Sequence, residues 1–509
     1  MNPVPRPRYQ TIIDEIGMKK SMPTSKEQFE WYVNDGPEDC PIVFLGLGPE
    51  PDKIPKWFGL SDTDTLYFVE CQDFVDQTDN NWNGAIPDNF TRIAADVFTA
   101  EIAANSHVIR YLPVQRAFPS FYGPLTARLL LCKSSFPAPS KIVWLPITED
   151  DLLGKELGIA FEEAGYTVKF IDHEALGKHP GAVLPELLED GTPNLFFSIN
   201  FKGIDHFGLC SHILHEAGVQ VAVWMVDNPF NVLPTVKSDY WKNIKLFVTD
   251  HSFIGPLIET GARWVTHLPL AASPHFFENT GQLPDHAHGI EDALVFVGRS
   301  AFPDKEKFFA GISVNPALLT TIHEADEAHR FDYLWWREQM KDVQLWPGNQ
   351  VRQIGAGTEL TSSRWKSDCL HAAGDITIFG DDGWKILENA DVRPVVDYYA
   401  HLPAIYRTAP VTLNVTGMQL PAGLTQRHFD VWCAGGFLIS DTNPGLQIFP
   451  KELVEQVTYT HPNEIRDLFL RYREETETKR NLRQAWRECI LHDHTYRNRV
   501  DTILTALNL

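Results

Sequence analysis

Apolar runs of strand length alternate with helical segments along most of this chain, and that alternation limits its fold more than any other feature. The clearest runs occupy residues 41–48, 66–71, 141–146, 194–199, 219–226, 246–249, 264–268, 293–298, 376–380, 411–415 and 436–440. Continuous apolar strands between helices are typical of parallel sheets that are covered on both faces. The sequence therefore predicts an α/β chain built from doubly wound, Rossmann-like domains.

The chain is long enough for about three domains. We predict an N-terminal accessory domain at 1–139, a doubly wound domain at 140–285, and a second one at 290–480, followed by a helix at 481–509 that braces the two. Stretches rich in proline, serine or polar residues near 134–140 and at 279–290 are typical of linkers. Two such domains create a cleft between the carboxyl ends of their strands, where ligands bind in open sheets.

The N-terminal region contains half of a Rossmann-like pattern. An apolar run leads into the glycine turn at 46–48, and a second run ends in the acidic residue Glu70. However, the turn lacks a third glycine, and prolines stand where a helix should begin, so the dinucleotide fingerprint is weak. We favour an accessory domain over a cofactor-binding one.

Charge and cysteine content narrow the functional classes. Lys and Arg total 44 and Asp and Glu total 67, giving a net charge of −23. Such a surface repels nucleic acid and anionic lipid, although a local basic pocket for a small anion is compatible with it.

The seven scattered cysteines form no CxxC pair, which argues against a zinc cluster or a disulfide framework and favours a reducing compartment. Without a signal-like N-terminus or a membrane-length apolar run, we expect a cytoplasmic protein.

Residues 420–450 combine a small-residue loop, a helix start and an apolar strand. Backbone N–H groups at a helix start bind anions, and Gln426 and Asp430 are four residues apart on one helical face. This arrangement suits a nucleotide diphosphate, with the phosphates at the N–H groups and a ribose diol at the carboxylate. An ordinary glycine-rich helix–strand unit of an α/β protein is the alternative.

Several motifs, in this order and spacing, resemble the CgeB-like (spore maturation protein CgeB) group of GT-B glycosyltransferases. They are FVGRS at 296–300, FGDDGW at 379–384, LNVT at 413–416, TQRHFDVWCAGGFLISD at 425–441 and HTYRNRVDTIL at 494–504, with WMVDNP at 224–229, TDHS at 249–252 and HLPLAA at 267–272. The resemblance covers roughly 140–509. It implies a nucleotide-diphosphate sugar as donor substrate, bound by the C-terminal domain, with no metal and no further cofactor.

On the donor side, the expected phosphate ligands are Gly298, Arg299 and Lys305 after one strand, and Thr425, Gln426 and Arg427 at the helix start. A planar guanidinium suits bidentate phosphate contact; Arg427 could instead pair with Asp441. In the resembling enzymes, the position of Asp430 is usually Glu and holds the donor ribose. A second acid eight positions earlier is replaced here by Ala422, which puts the common retaining active site in doubt.

On the acceptor side, Asp227 follows a long buried strand and so should face the cleft, where it could act as a general base toward an acceptor hydroxyl. Asp250 and His251, which end the next strand, are the alternative base. For each of these residues, a turn or N-cap role is the structural alternative.

The sequence therefore predicts a glycosyltransferase that moves a sugar from a nucleotide donor to a hydroxyl of a glycan, protein or metabolite. A GT-B nucleotide-sugar epimerase and a non-catalytic scaffold with the same fold are the alternatives. Neither the sugar, the acceptor nor the stereochemical outcome follows from the sequence.

Overall fold

The computed structural model of the chain describes residues 9–32, 40–61, 63–79, 81–148, 151–278, 281–325, 331–340 and 343–509. In this set, a two-stranded ribbon is followed by one five-stranded and two six-stranded sheets. Both six-stranded sheets are wholly parallel, so the predicted pair of doubly wound domains is confirmed. The first two residues of the predicted linker at 279–290 lie outside the described residues. In the described part, no helix is long and apolar enough to span a bilayer.

The N-terminal region forms a small α/β unit around a five-stranded sheet. Its strands are β1 (Gln10–Ile13), β2 (Lys19–Met22), β3 (Phe29–Tyr32), β4 (Ile42–Leu45), β5 (Leu66–Val69), β6 (Phe90–Arg92) and β7 (His107–Tyr111), and its helices are α1 (Ile54–Phe58), α2 (Gln72–Val75), α3 (Ala100–Ala104), α4 (Leu112–Ala117) and α5 (Pro119–Leu131). The sheet order is β3-β7-β4-β5-β6, and only β3 runs antiparallel to its neighbour.

The glycine turn of this unit is filled by protein side chains. Glu70 is only 3% exposed and accepts hydrogen bonds from the Leu47 N–H, at 2.8 Å, and from the Tyr122 hydroxyl. Burial raises the pKa of Glu70 to about 7. A Cβ on Gly46 would stand 2.6 Å from Val114 Cγ1. Because the acid points inward and the turn is packed, this geometry argues against a dinucleotide at this turn.

The middle domain is built on a parallel sheet in the order β13-β12-β11-β10-β8-β9. Its strands are β8 (Ser140–Leu145), β9 (Thr167–Phe170), β10 (Pro193–Ile199), β11 (Gln220–Met225), β12 (Lys245–Val248) and β13 (Trp264–His267), and its helices are α6 (Gly154–Glu163), α7 (His173–Lys178), α8 (Pro180–Glu189), α9 (Leu209–Glu216), α10 (Pro229–Val232) and α11 (Ile254–Glu259). Hydrophobic clusters cover both faces of the sheet, which explains its uninterrupted apolar strands.

The C-terminal domain repeats this plan in the order β16-β15-β14-β17-β18-β19. Its strands are β14 (Leu294–Val297), β15 (Ile376–Phe379), β16 (Ala390–Arg393), β17 (Val411–Asn414), β18 (Leu438–Asp441) and β19 (Thr458–Tyr459), and its helices are α12 (Lys305–Phe308), α13 (Pro316–Glu324), α14 (Tyr333–Glu338), α15 (Asn349–Ala372), α16 (Leu402–Thr408), α17 (Arg427–Cys433), α18 (Lys451–Val457) and α19 (Glu464–Tyr472).

Two helices, α20 (Glu477–Asp493) and α21 (Tyr496–Leu507), end the chain. The first belongs to the C-terminal domain, where the Trp486 ring stacks on Trp432 of α17 at 5.0 Å. The second helix is N-capped by Thr495, which forms a capping box with Asn498. This helix packs against α6 and the middle sheet. The chain therefore crosses back between the domains at His494 and Thr495.

Replacing Ile503 of α21 tests how much the packing of this helix against the middle domain stabilises the protein. Ile503 is fully buried in the cluster shared with the middle sheet. We expect Ile503→Ala to lower the free energy of unfolding by about 2–5 kcal/mol, measured by urea denaturation of the full chain. Leu491→Ala is the control because Leu491 of α20 is 42% exposed. Equal losses in the two variants would contradict the role of α21.

Candidate functional site

The candidate site is a cavity at the carboxyl ends of the two parallel sheets. Its volume is about 670 Å³. Both domains line it, with Asp227, Asn228, Asn231 and Val232 on one side and Phe302, Pro303, Asp304, Lys307, Phe308, Gln419 and Leu420 on the other. This is the edge at which open parallel sheets bind ligands.

Asp227 is the predicted acid whose carboxylate remains open to the cleft. It follows β11, and its Oδ2 accepts a hydrogen bond from Asn200 Nδ2 at 2.8 Å. Asn200 and Phe201 have φ values of 50° and 62°, left-handed conformations that are strained for such residues and concentrate at functional sites. Partial removal of water raises the pKa of Asp227, opposed by the Asn200 bond and by the charge of Lys202. A positioned acid with a raised pKa suits a general base.

Asp250 and His251, the alternative base, follow β12. Their side chains already form hydrogen bonds within the protein. Asp250 is 1% exposed. Its Oδ1 accepts the Ser252 N–H at 2.8 Å, and its Oδ2 accepts the Ala422 N–H, from the other domain, at 2.9 Å. The ring of His251 lies 3.2 Å from the Gln447 amide nitrogen. Asp250 therefore joins the two domains, and this geometry does not favour it as a base.

The predicted residues Gly298, Arg299 and Lys305 follow β14 on the C-terminal side of the cleft. The Gly298 carbonyl accepts a hydrogen bond from Trp384 Nε1 at 2.9 Å, which fixes the turn. Arg299 is exposed, so its guanidinium can reach a ligand. Lys305 Nζ lies 3.3 Å from Glu359 Oε1 of α15. The segment after this strand therefore carries two cations, one exposed and one paired with Glu359.

A third cation, Lys366 of α15, was not predicted from the sequence. Burial lowers the pKa of Lys366; Glu359 opposes that shift, while the charges of Arg427 and Lys305 add to it. Lys305 and Lys366 thus share the carboxylate of Glu359, which is 6% exposed. The signal in the sequence is the seven-residue spacing of Glu359 and Lys366, which puts both on one helical face.

The helix start at Thr425, Gln426 and Arg427 is braced by hydrogen bonds within the protein. Thr425 Oγ1 donates to Asn414 Oδ1 at 2.9 Å, and Arg427 Nε donates to the same oxygen at 2.7 Å. Arg427 Nη1 also donates to the carbonyl of Val297, the last residue of β14. Arg427 therefore fixes α17 to β14. The role of Arg299 and Lys305 as phosphate ligands stays a prediction.

Asp430 faces the joint between the domains and is 1% exposed. Its Oδ1 accepts from Gln426 Nε2 at 3.3 Å and from the Ser273 N–H at 3.5 Å, and its Oδ2 accepts from the Tyr398 hydroxyl. Gln426 also donates to the carbonyl of Ala271 at 2.6 Å. Gln426 and Asp430 do share a helical face, but both carboxylate oxygens are occupied. The predicted ribose contact is therefore not favoured by this geometry.

Residues 415–425, which we call the crossing loop, are held by both domains. Asn228 Nδ2 donates to the Gln419 carbonyl at 2.9 Å. Within the C-terminal domain, the Met418 N–H donates to Ser362 Oγ of α15 at 3.2 Å. Ala422, where the resembling enzymes carry a second acid, is 2% exposed and donates its N–H across the cleft to Asp250. At the position of that acid, this chain therefore has a backbone hydrogen bond between the domains.

Among the described residues, no group of three or more His, Cys, Asp or Glu side chains is suited to hold a metal ion. The predicted metal independence stays a prediction.

In the comparisons with known proteins, one family model matches the C-terminal part of the chain. Residues 358–505, less than a third of the chain, match the family model described as Glycosyl transferase-like. No sequence among the curated proteins is similar to this chain. The matched range contains β15, β17, α17 and β18, so the crossing loop and its helix start lie in a glycosyl transferase-like domain.

The chain also matches solved structures at low sequence identity. T4 phage BGT in complex with UDP and Mn²⁺ is 10% identical, with a TM-score of 0.41 over 72% of this chain and 99% of that one. Anabaena HepE in complex with UDP and glucose is 9% identical, with a TM-score of 0.42 over 72% and 99%. The two Rossmann-like domains predicted from the sequence are seen in the sheet topology of the chain itself.

The buried carboxylate of Asp430 predicts a pH-dependent stability. Burial raises its pKa from 3.8 to about 8. Between about pH 4 and pH 8, the folded state therefore binds a proton that the unfolded state has lost, so the free energy of unfolding falls as the pH rises. Asp430→Asn cannot ionise and should show a smaller fall between pH 5 and pH 8 in urea denaturation, at about 1.36 kcal/mol per pKa unit removed. The control, Asp382→Asn, replaces a carboxylate that is 86% exposed. A wild-type slope in Asp430→Asn would contradict the assignment.

Proposed function

We propose that this chain is a metal-independent, CgeB-like glycosyltransferase that moves a sugar from a nucleotide-diphosphate sugar to a hydroxyl of a glycan, protein or metabolite. The glycosyl transferase-like match supports this class of reaction. The observation that carries the proposal is the open acid Asp227 on a cavity that both domains line, with Arg299 and Lys305 following β14 on the C-terminal side. The scattered cysteines, with no CxxC pair among them, support a reducing, cytoplasmic location.

In the proposed reaction, Asp227 accepts the proton of the acceptor hydroxyl as its oxygen bonds to the anomeric carbon. The bond between that carbon and the diphosphate oxygen breaks, and its electron pair leaves with the nucleotide. Arg299 and Lys305 neutralise the departing charge, the task that a metal ion performs in other transferases. A guanidinium can contact two phosphate oxygens at once, whereas Lys305 supplies a point charge.

Calorimetry with UDP-, GDP-, ADP- and dTDP-sugars, each with and without EDTA, tests this proposal. We expect one nucleotide class to bind in both conditions and to be slowly hydrolysed to free sugar. Interconversion of the sugar without hydrolysis would favour the epimerase, whereas binding without turnover would favour the scaffold. Failure of every donor to bind would overturn the proposal.

Arg299→Ala tests the phosphate contact. Loss of a charge-assisted, bidentate hydrogen bond should weaken nucleotide binding about tenfold, since such bonds contribute roughly 1.5–3 kcal/mol. Isothermal titration with the identified nucleoside diphosphate gives the dissociation constant. Lys451→Ala removes a cation that is 85% exposed and paired with Glu455 on a distant helix, and should leave affinity unchanged. Equal affinities in the two variants would exclude Arg299 as a ligand.

Asp227→Asn tests the general base. The amide keeps the size of the carboxylate and can still accept from Asn200, so nucleotide affinity should be unchanged. Transfer should fall about 10²–10⁴-fold because proton removal is lost. Asp304→Asn is the matched control, since Asp304 lines the same cavity and its φ of 57° tolerates Asn. A larger loss of transfer in Asp304→Asn than in Asp227→Asn would reassign the base.

A further inference from the structure

The cavity beside Asp227 has an aromatic wall, formed by Phe302 and Phe308. Their side chains are 39% and 37% exposed, and both line the cavity. Val232 and Leu420 extend the apolar surface. Exposed aromatic side chains that converge on a concave site are characteristic of ligand pockets and are uncommon on an ordinary surface.

The aromatic wall is fixed in place by α15. The Phe308 and Phe309 ring centroids are 4.9 Å apart, and those of Phe302 and Phe309 are 5.9 Å apart. Phe309 in turn lies against Gly355 of α15, where a Cβ would come 3.3 Å from its ring. Arg352 Nη2 donates to the Phe308 carbonyl at 2.5 Å. The wall is therefore a preformed part of the cleft, anchored to a 24-residue helix.

The polar groups on the opposite side of the cavity are used mainly within the protein. Asn228 donates to the Gln419 carbonyl at 2.9 Å and accepts the Phe230 N–H at 2.9 Å. Asn231 donates to Gln419 Oε1 at 3.2 Å, and Gln419 donates to the Gly355 carbonyl at 2.7 Å. The remaining oxygen of Asn231 is buried against Gly355. The charged side chains that the cavity offers to a ligand are thus Asp227 on this side and Asp304 and Lys307 beside the aromatic wall.

With few free polar groups among mostly apolar ones, this cavity favours a weakly hydrated acceptor over a strongly hydrated one. A sugar that enters this cavity loses water from several hydroxyls and regains few hydrogen bonds, and each unpaired polar group is costly. A molecule with an apolar body and one reactive hydroxyl loses little hydration and gains contact with the aromatic wall. The cavity, at about 670 Å³, falls in the range of small-molecule sites.

We propose, building on the proposed transferase function, that the acceptor is an apolar alcohol, phenols included, and not a free sugar. Its body lies against Phe302 and Phe308, and its hydroxyl donates to Asp227. Transfer of that proton to the carboxylate accompanies formation of the oxygen–anomeric carbon bond and departure of the nucleoside diphosphate with the electron pair of the broken bond.

Equilibrium binding of 4-methylumbelliferone, a fluorescent phenol, to the full chain tests this proposal. We expect the wild type to bind it and the double variant Phe302→Ala/Phe308→Ala to bind about tenfold more weakly. Phe207→Ala is the matched control because Phe207 is also 37% exposed but lies outside the cavity. Methyl glucoside, the polar competitor, should not displace the phenol at equal concentration. Both wall residues are partly exposed, so the double variant should keep the wild-type melting temperature.

Three results would overturn the proposal: no phenol binding to the wild type, equal binding by the wild type and the double variant, or displacement by methyl glucoside at equal concentration. Donor binding is measured by calorimetry on the same samples. Donor binding without phenol binding would overturn this inference and leave the transferase function standing. Phenol binding without any donor binding would overturn the transferase and leave the apolar pocket established.

Discussion

The hydrogen bonds that hold the crossing loop to both domains are the constraint on which the site depends. Asn228 donates to the Gln419 carbonyl, and the Ala422 N–H donates to Asp250, each at 2.9 Å. These bonds tie the ends of β11 and β12 to the loop that follows β17. Because Asp227 directly precedes Asn228, the same contacts set where the open acid lies relative to the C-terminal domain.

Two acids to which the sequence assigns ligand chemistry form hydrogen bonds between the domains. Asp250 and Asp430 are each 1% exposed and accept backbone N–H groups from the opposite domain. Burial raises the pKa of both carboxyls, because an ionised group in such a place loses its hydration. These contacts fix how the two domains meet. Ionisation of the two carboxyls lowers the free energy of unfolding, because the charged forms lose their hydration at the joint.

Most of the fold could be predicted because the buried strands of both parallel sheets are uninterrupted apolar runs. Short edge strands were missed: β16 reads Ala-Asp-Val-Arg, is partly exposed, and has no apolar run to mark it. In the site, a strand end sufficed to place Asp227 at the cleft. Lys366 was missed because it lies within a long helix, with no glycine turn or strand end beside it.

Local patterning was enough to specify two doubly wound domains and the sheet edge that faces the cleft, since burial on two sheet faces follows from residues close in sequence. The roles of the acids depended on distant partners. Asp250 meets Ala422 from 172 residues away, and Ser273 meets Asp430 from 157 residues away. Which carboxylate stays open is a matter of which ones the other domain occupies, and only the folded chain brings those partners together.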